Sequence, residues 1–149
     1  MTSRRRASQK RFSVLDIVLR VLIAAALVID AVVHFRLAPG YQLSAPDGIG
    51  GGNLFRIEAV AALVAAIYLL IRSSRPAYGF ALLVAGAGFI AVILYRYVNV
   101  PALGPIPAMY EPVWFFEKSL SAVVEAAGAI LAAIGLARFR RLRGRPESA

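Results

Sequence analysis

Apolar residues dominate four long stretches of the chain, at 14–35, 54–71, 77–98 and 113–137. Each stretch approaches the ~20 residues that an α-helix needs to cross ~30 Å of hydrocarbon at ~1.5 Å per residue. A membrane β-barrel would alternate apolar and polar positions, and these stretches are continuous and alanine-rich. The pattern predicts an all-α fold: an antiparallel four-helix transmembrane bundle at 14–137, with basic tails at 1–13 and 138–149.

Residues at the borders fit that division. Asn53 is a candidate N-cap for the second helix, because its side chain accepts from the free amides of a first turn. Pro76 and Pro112 stand where a helix would begin, and a first-turn proline sacrifices no hydrogen bond. Asn99 and Pro101 close the third stretch. Tyr97, Tyr110 and Trp114 fall where amphipathic rings favour the head-group level. The segment between the second and third stretches is short, which predicts a tight antiparallel hairpin. The other two connections are longer. The run Gly48-Ile49-Gly50-Gly51-Gly52 lacks the Gly-Lys-Ser/Thr that a phosphate-binding loop requires, so it reads as a flexible linker. Four prolines between 99 and 112 predict a semi-rigid second loop.

Composition strengthens the membrane reading. Hydrophobic residues make up 60% of the chain, more than a small water-soluble core can bury. The net charge of +9 raises the question of nucleic acid, but position answers it. Arg4, Arg5, Arg6, Lys10 and Arg11 precede the first stretch, and Arg138, Arg140, Arg141, Arg143 and Arg145 close the last. Clusters flanking apolar runs are expected to touch anionic lipid head groups, so no nucleic-acid partner is expected. With Arg72 and Arg75, these tails and the short turn hold twelve of the seventeen basic residues, whereas the two longer loops hold only Arg36. The excess predicts a multi-pass protein of the cell membrane with both termini cytoplasmic. A cleaved signal peptide is disfavoured, because the end of the first stretch brings Asp30, His34 and then Arg36 and no small-residue cleavage motif. The chain has no cysteine, which rules out disulfides, thiolate metal sites and thiol redox chemistry.

Ionisable groups inside a bilayer cost ~2.5–3.5 kcal/mol each on insertion scales, so each needs a partner or a purpose. Asp16 and Arg20 are one turn apart and can pair. The remainder gather towards the outer half: Asp30, His34 and Arg36 from the first helix, Arg56 and Glu58 from the second, Tyr95, Arg96 and Tyr97 from the third, and Glu117 and Lys118 from the fourth. Ala26, Asp30 and His34 share one helical stripe. Glu58, Ala62 and Ala65 share another, and Ser121, Glu125, Gly128, Ala132 and Gly135 a third. Small residues mark faces where membrane helices approach closely. Glu125, near the middle of its span, should point into the bundle and carry a proton or a hydrogen bond from another helix.

The candidate site is therefore Asp30, His34, Arg56, Glu58, Tyr95, Arg96, Trp114, Glu117, Lys118 and Glu125, a charged and aromatic cluster that is either ligand-binding or structural. Its leading reading is a paired network, with Arg56 or Arg96 set against Asp30, Glu58 or Glu117. On that reading Arg56→Ala or Glu58→Ala strands a buried charge and lowers thermal stability. Asp30 and His34 with Glu58 and Glu117 would also suit a metal, but a single histidine is thin support and no metal is assigned. The same groups would suit a proton relay or a quinone pocket, with Tyr95 or Trp114 along a ring site. No nucleophile–base pair or nucleotide motif is recognisable, so no catalytic residue is assigned and an enzyme is not favoured.

The segments Leu54-Phe55-Arg56-Ile57-Glu58-Ala59, Leu94-Tyr95-Arg96-Tyr97-Val98 and Met109-Tyr110-Glu111-Pro112-Val113-Trp114, followed by Glu117-Lys118, resemble those of small uncharacterised integral membrane proteins of actinobacteria. That resemblance covers most of the chain and implies no activity. In size, four spans and the glutamate Glu58 early in the second helix, the chain is also similar to the DoxX-like group. This second resemblance implies quinone-dependent sulfur oxidation or a redox membrane complex. The expected function is a non-catalytic accessory or small-ligand-binding membrane component, alone, as a homo-oligomer or within a larger complex. The alternatives are a quinone-interacting redox subunit or a proton-coupled transporter using Glu125.

Overall fold

The computed structural model describes residues 13–143, so the tail residues Arg4, Arg5, Arg6, Lys10, Arg11 and Arg145 lie outside the described part. Four helices follow one another: α1 (Val14–Ser44), α2 (Gly51–Ile71), α3 (Arg75–Tyr97) and α4 (Phe116–Arg143). All four are long and apolar enough to cross a membrane. They form an all-α transmembrane bundle. One end carries residues 45–50 and 98–115 and is called the loop end below. The other carries Ser13, the turn 72–74 and the end of α4, and is called the tail end.

Local chemistry explains most of the boundaries. Ser13 caps α1 by accepting from the Asp16 amide at 3.2 Å, and Asp16 itself lies in the first turn, where a carboxylate complements the helix dipole. Ser74 caps α3 with its side chain, and proline stands in that helix's first turn, as expected. Four borders differ from the sequence expectation by three residues or more, among them the end of α4, which runs to Arg143, six residues into the expected basic tail. α1 continues nine residues beyond position 35, through Pro39, to Ser44; at ~1.5 Å per residue its 31 residues exceed the thickness of the hydrocarbon. α2 starts at Gly51, two residues before the expected cap, and Gly50 takes the cap position at φ 81°. Asn53 instead donates its side-chain amide to the Ile49 carbonyl at 2.8 Å. α4 starts at Phe116 and not near Pro112; the Glu111 amide donates to the Tyr95 carbonyl at 3.1 Å and ties the preceding segment to the end of α3.

The glycine run is not a loose linker. Gly51 and Gly52 are buried in the first turn of α2. A methyl group on Gly51 would stand 2.8 Å from the Tyr41 carbonyl oxygen, and one on Gly52 would collide with the Ala38 carbonyl oxygen. The glycines let α2 begin in direct contact with the backbone of α1. The proline-rich loop is tied to this corner, since the Ile49 amide donates to the Pro105 carbonyl at 2.9 Å.

Going round the bundle the order is α1, α2, α3, α4, with α4 closing onto α1; α2 and α3 meet least extensively of the adjacent pairs. The core is built largely of small side chains: Ala59, Ala62, Ala65 and Ala66 of α2, Ala77, Ala81 and Ala85 of α3, and Ala132 of α4. Such faces allow close helix approach in a solvent where apolar burial no longer discriminates. Gly128 brings α4 within 3.5–3.6 Å of the methyls of Ala85 and Ala26, measured from a built Cβ. Ile23, Leu27 and Leu69 fill the remaining core, whereas many other large aliphatic residues, among them Val21, Ile67, Leu83, Val123 and Ile130, are exposed on the outside. That inside-out distribution is a lipid-facing surface.

The tail end is fastened by polar contacts. Asp16 accepts from Ser73 Oγ at 3.0 and 2.9 Å and from the Tyr78 hydroxyl at 2.9 Å. Arg20 stands 3.7 Å from Asp16, as the one-turn spacing suggested. Arg20 also donates to the Leu69 carbonyl at 2.9 Å and to the Leu70 carbonyl, which satisfies acceptors at the end of α2 that no amide reaches. Tyr78 is fully buried, and Gly135 of α4 leaves the space that its ring fills.

Candidate metal centre

Each of the four helices contributes to one polar site deep in the bundle. α1 supplies Asp30 and His34, one turn apart, and α4 supplies Ser121 and Glu125, also one turn apart. Asp30, Ser121 and Glu125 are at most 2% exposed and His34 is 7% exposed. Ser121 Oγ donates to Asp30 Oδ1 at 2.7 Å and lies 3.3 Å from Glu125 Oε1. His34 Nδ1 lies 3.1 Å from both the Asp30 carbonyl oxygen and Asp30 Oδ1. One ligand atom from each of Asp30, His34 and Glu125 falls within 4.8 Å of the other two.

α2 and α3 complete the site, one by a side chain and the other by lacking one. Glu58 of α2 and Glu125 both converge on Gly88 of α3. A methyl group on Gly88 would collide with Glu125 Oε1 and stand 3.2 Å from Glu58 Oε1. Glycine at 88 therefore makes room for two carboxylates. Glu125 Oε2 and Glu58 Oε1 are buried without a hydrogen-bond partner.

The charges do not balance internally. Among the described residues, Asp30, Glu58 and Glu125 form no salt bridge with lysine or arginine; the imidazole of His34 is the sole basic group paired with them. Three carboxyl groups beside one imidazole in a low-dielectric interior require added positive charge, from protons or from a cation. The donor set suits a cation. Imidazole nitrogen with carboxylate oxygens is a usual ligand set for first-row divalent metals. His34 Nδ1 is engaged by Asp30, which leaves Nε2 as the nitrogen free to meet an ion.

A cavity of about 330 Å³ adjoins the site on the loop side, within the ~300–1,000 Å³ range of small-molecule pockets. His34, Glu58, Gly88 and Ser121 form its deep end, and Tyr41, Phe55 and Tyr95 its walls. Phe55 stacks on Tyr41 at 4.0 Å between ring centroids and tilts against His34 at 4.9 Å.

The expected charged and aromatic cluster does not form. The set that comes together is Asp30, His34 and Glu125, while Tyr95 stands in the wall of the adjoining cavity. Arg56 is exposed and donates to Asn53 Oδ1 at 2.9 Å; on a helix, positions 56 and 58 point to different faces, so Arg56 and Glu58 cannot both face inward. Arg96 lies over the rings of Tyr97 and Trp114, at 4.9 and 5.7 Å, and makes no ion pair with Asp30, Glu58 or Glu117. Trp114 is itself 38% exposed. Glu117 is half-buried and outside the acid–imidazole set. Lys118 is buried but turns to the Glu111 carbonyl. The reading of the outer end as an accessory or ligand-binding centre built on such a cluster falls with it. Sequence reasoning did not include Ser121 or Gly88 in the site. Ser121 was readable from its place one turn before Glu125; Gly88 had no signal of its own among the small residues of α3.

Fold and site together define a multi-pass α-helical membrane protein with a buried acid–imidazole centre. Compared with protein-family models, curated proteins and solved structures, the chain matches none of them.

Proposed function

We propose that the protein binds one divalent transition-metal ion inside the membrane, with Asp30, His34 and Glu125 as ligands and Glu58 as a further carboxylate across Gly88. The observation that carries this reading is the buried Glu125 Oε2, which has no hydrogen-bond partner in a site that holds an imidazole and other carboxyl groups but no lysine or arginine pair. A divalent ion supplies both the missing positive charge and the missing partner. Ser121 orients Asp30, as outer-shell donors do at metal sites.

The test is metal content by elemental mass spectrometry after purification in mild detergent, with zinc and manganese titrated into stripped protein. About one ion per chain is expected, falling roughly tenfold or more in His34→Ala and in Glu125→Gln. A stripped protein that takes up neither ion, and whose melting temperature neither ion raises, refutes the proposal.

The loop end faces outward on this reading, which leaves the basic tails and the 72–74 turn at the anionic inner leaflet. The support is the distribution of arginine and lysine along the sequence. Single cysteines introduced at Gly104 and Ser73 test it: only the first should react with an impermeant thiol reagent in whole cells.

A further inference from the structure

The cavity beside the acid–imidazole centre is lined by second-loop residues at one end and by outward-facing residues of α2 and α3 along its side. Ile106 and Met109 of the second loop cover its loop end. That cover is fixed at both sides, by the Ile49 amide on the Pro105 carbonyl at 2.9 Å and by the Glu111 amide on the Tyr95 carbonyl at 3.1 Å. The lateral side differs. Ile57 of α2 and Ala87 and Ala91 of α3 line the cavity and are also exposed on the surface of the bundle, Ile57 by 59%. They flank the seam where α2 and α3 meet least extensively. Exposed residues at this position in a membrane-spanning helix face hydrocarbon. α3 also brings Val92 and Tyr95 to the cavity, but at the depth of the polar site its side chains along the seam are the small ones of Ala87, Gly88 and Ala91, which leave the least bulk between α2 and α3.

We infer that the cavity takes a membrane-dissolved amphiphile, which passes between α2 and α3 from the lipid and places one neutral oxygen-bearing head against the cation held by Asp30, His34 and Glu125. The apolar walls accept the body of such a molecule. The deep end, with His34, Glu58 and Ser121, accepts its polar end. A hydroxyl or carbonyl head fits better than an acid, because three carboxyl groups already surround the site and a further anion would be repelled. Lys118 and Glu111 also line the cavity, and the Lys118 ammonium is spent on the Glu111 carbonyl. This inference rests on the cation reading for the role of the head group, and the experiment separates the two.

Protein in phosphatidylethanolamine–phosphatidylglycerol vesicles is irradiated with a long-chain alcohol that bears a diazirine in mid-chain, and adducts are mapped by peptide mass spectrometry. Metal content is measured on the same samples. Adducts are expected on the cavity faces of α2 and α3. Ala91→Trp and Ala87→Phe, each placing bulk in the seam, should reduce them roughly tenfold and leave the metal content unchanged. Adducts spread evenly over lipid-facing positions such as Ile67 and Leu83, and insensitive to both variants, overturn the inference. So does stronger labelling by the corresponding carboxylic acid. Retained metal with scattered adducts sinks this inference alone, whereas confined adducts on a protein that binds no metal sink the cation reading alone.

Discussion

Ser121 Oγ donates to Asp30 Oδ1 at 2.7 Å, across 91 positions of sequence. This bond joins α4 to α1 where both are buried, and it leaves Glu125, one turn further along α4, facing the same carboxyl group. Removing the hydroxyl takes a donor from a buried acid, which costs about 1–3 kcal/mol. Ser121→Ala should therefore melt at lower temperature in detergent, and Ser121→Thr, which keeps the hydroxyl, should lie closer to the parent. Equal melting of parent and Ser121→Ala would show that the bond contributes nothing.

Gly88 is expected to be intolerant of even one carbon. The added methyl would occupy the space of the Glu125 and Glu58 carboxylates, and overpacking of this kind costs about 1–3 kcal/mol. Gly88→Ala should lower both the melting temperature and metal uptake. Gly86→Ala, two positions away with open space around it, should change neither. Parallel behaviour of the two variants in a metal titration would contradict the site geometry.

At the tail end, Asp16 receives the Tyr78 hydroxyl at 2.9 Å as well as Ser73. Tyr78→Phe should cost about 1 kcal/mol. Asp16→Asn should cost more, because three partners lose their charge-bearing acceptor. The two changes share one bond, so the double variant should cost less than the singles added together. A double-mutant cycle of unfolding in mixed micelles reads this directly, and strict additivity would mean that the bond is not formed.

Arg56→Ala should be nearly silent, within about 0.5 kcal/mol. The side chain is exposed and its hydrogen bond goes to Asn53 on the same helix, so no buried acid is stranded. This reverses the expectation drawn from sequence, where Arg56 or Arg96 was set against Asp30, Glu58 or Glu117. A drop of several degrees on thermal unfolding would restore the paired network.

The four spans were legible because hydrocarbon imposes its length on any helix that crosses it, and apolar runs of that length are hard to misread. The stripe Ser121, Glu125, Gly128, Ala132 and Gly135 was legible for a related reason: small and polar positions at helical spacing belong inside, and all five are buried. Asp30 and His34 were likewise readable as one inward face. What the sequence did not carry was rotation. Knowing that Arg56, Glu58, Arg96 and Glu117 share a depth does not say which way each helix is turned about its axis, and the turn sends Arg56 outward and Arg96 to Trp114. Partnerships decided by an absent side chain were equally hidden. Gly52 against the Ala38 carbonyl and Gly88 against two carboxylates become visible only once the neighbouring helix is in place.

The fastening of Asp16 to Ser73 and Tyr78 has a mechanical result. It clasps the hairpin formed by α2, the 72–74 turn and α3 at the tail end, while the Ile49–Pro105 and Glu111–Tyr95 bonds clasp the same two rods at their other tips. Two rods held at both ends keep their slack between the clasps, the interval that includes Ile57 and Ala91.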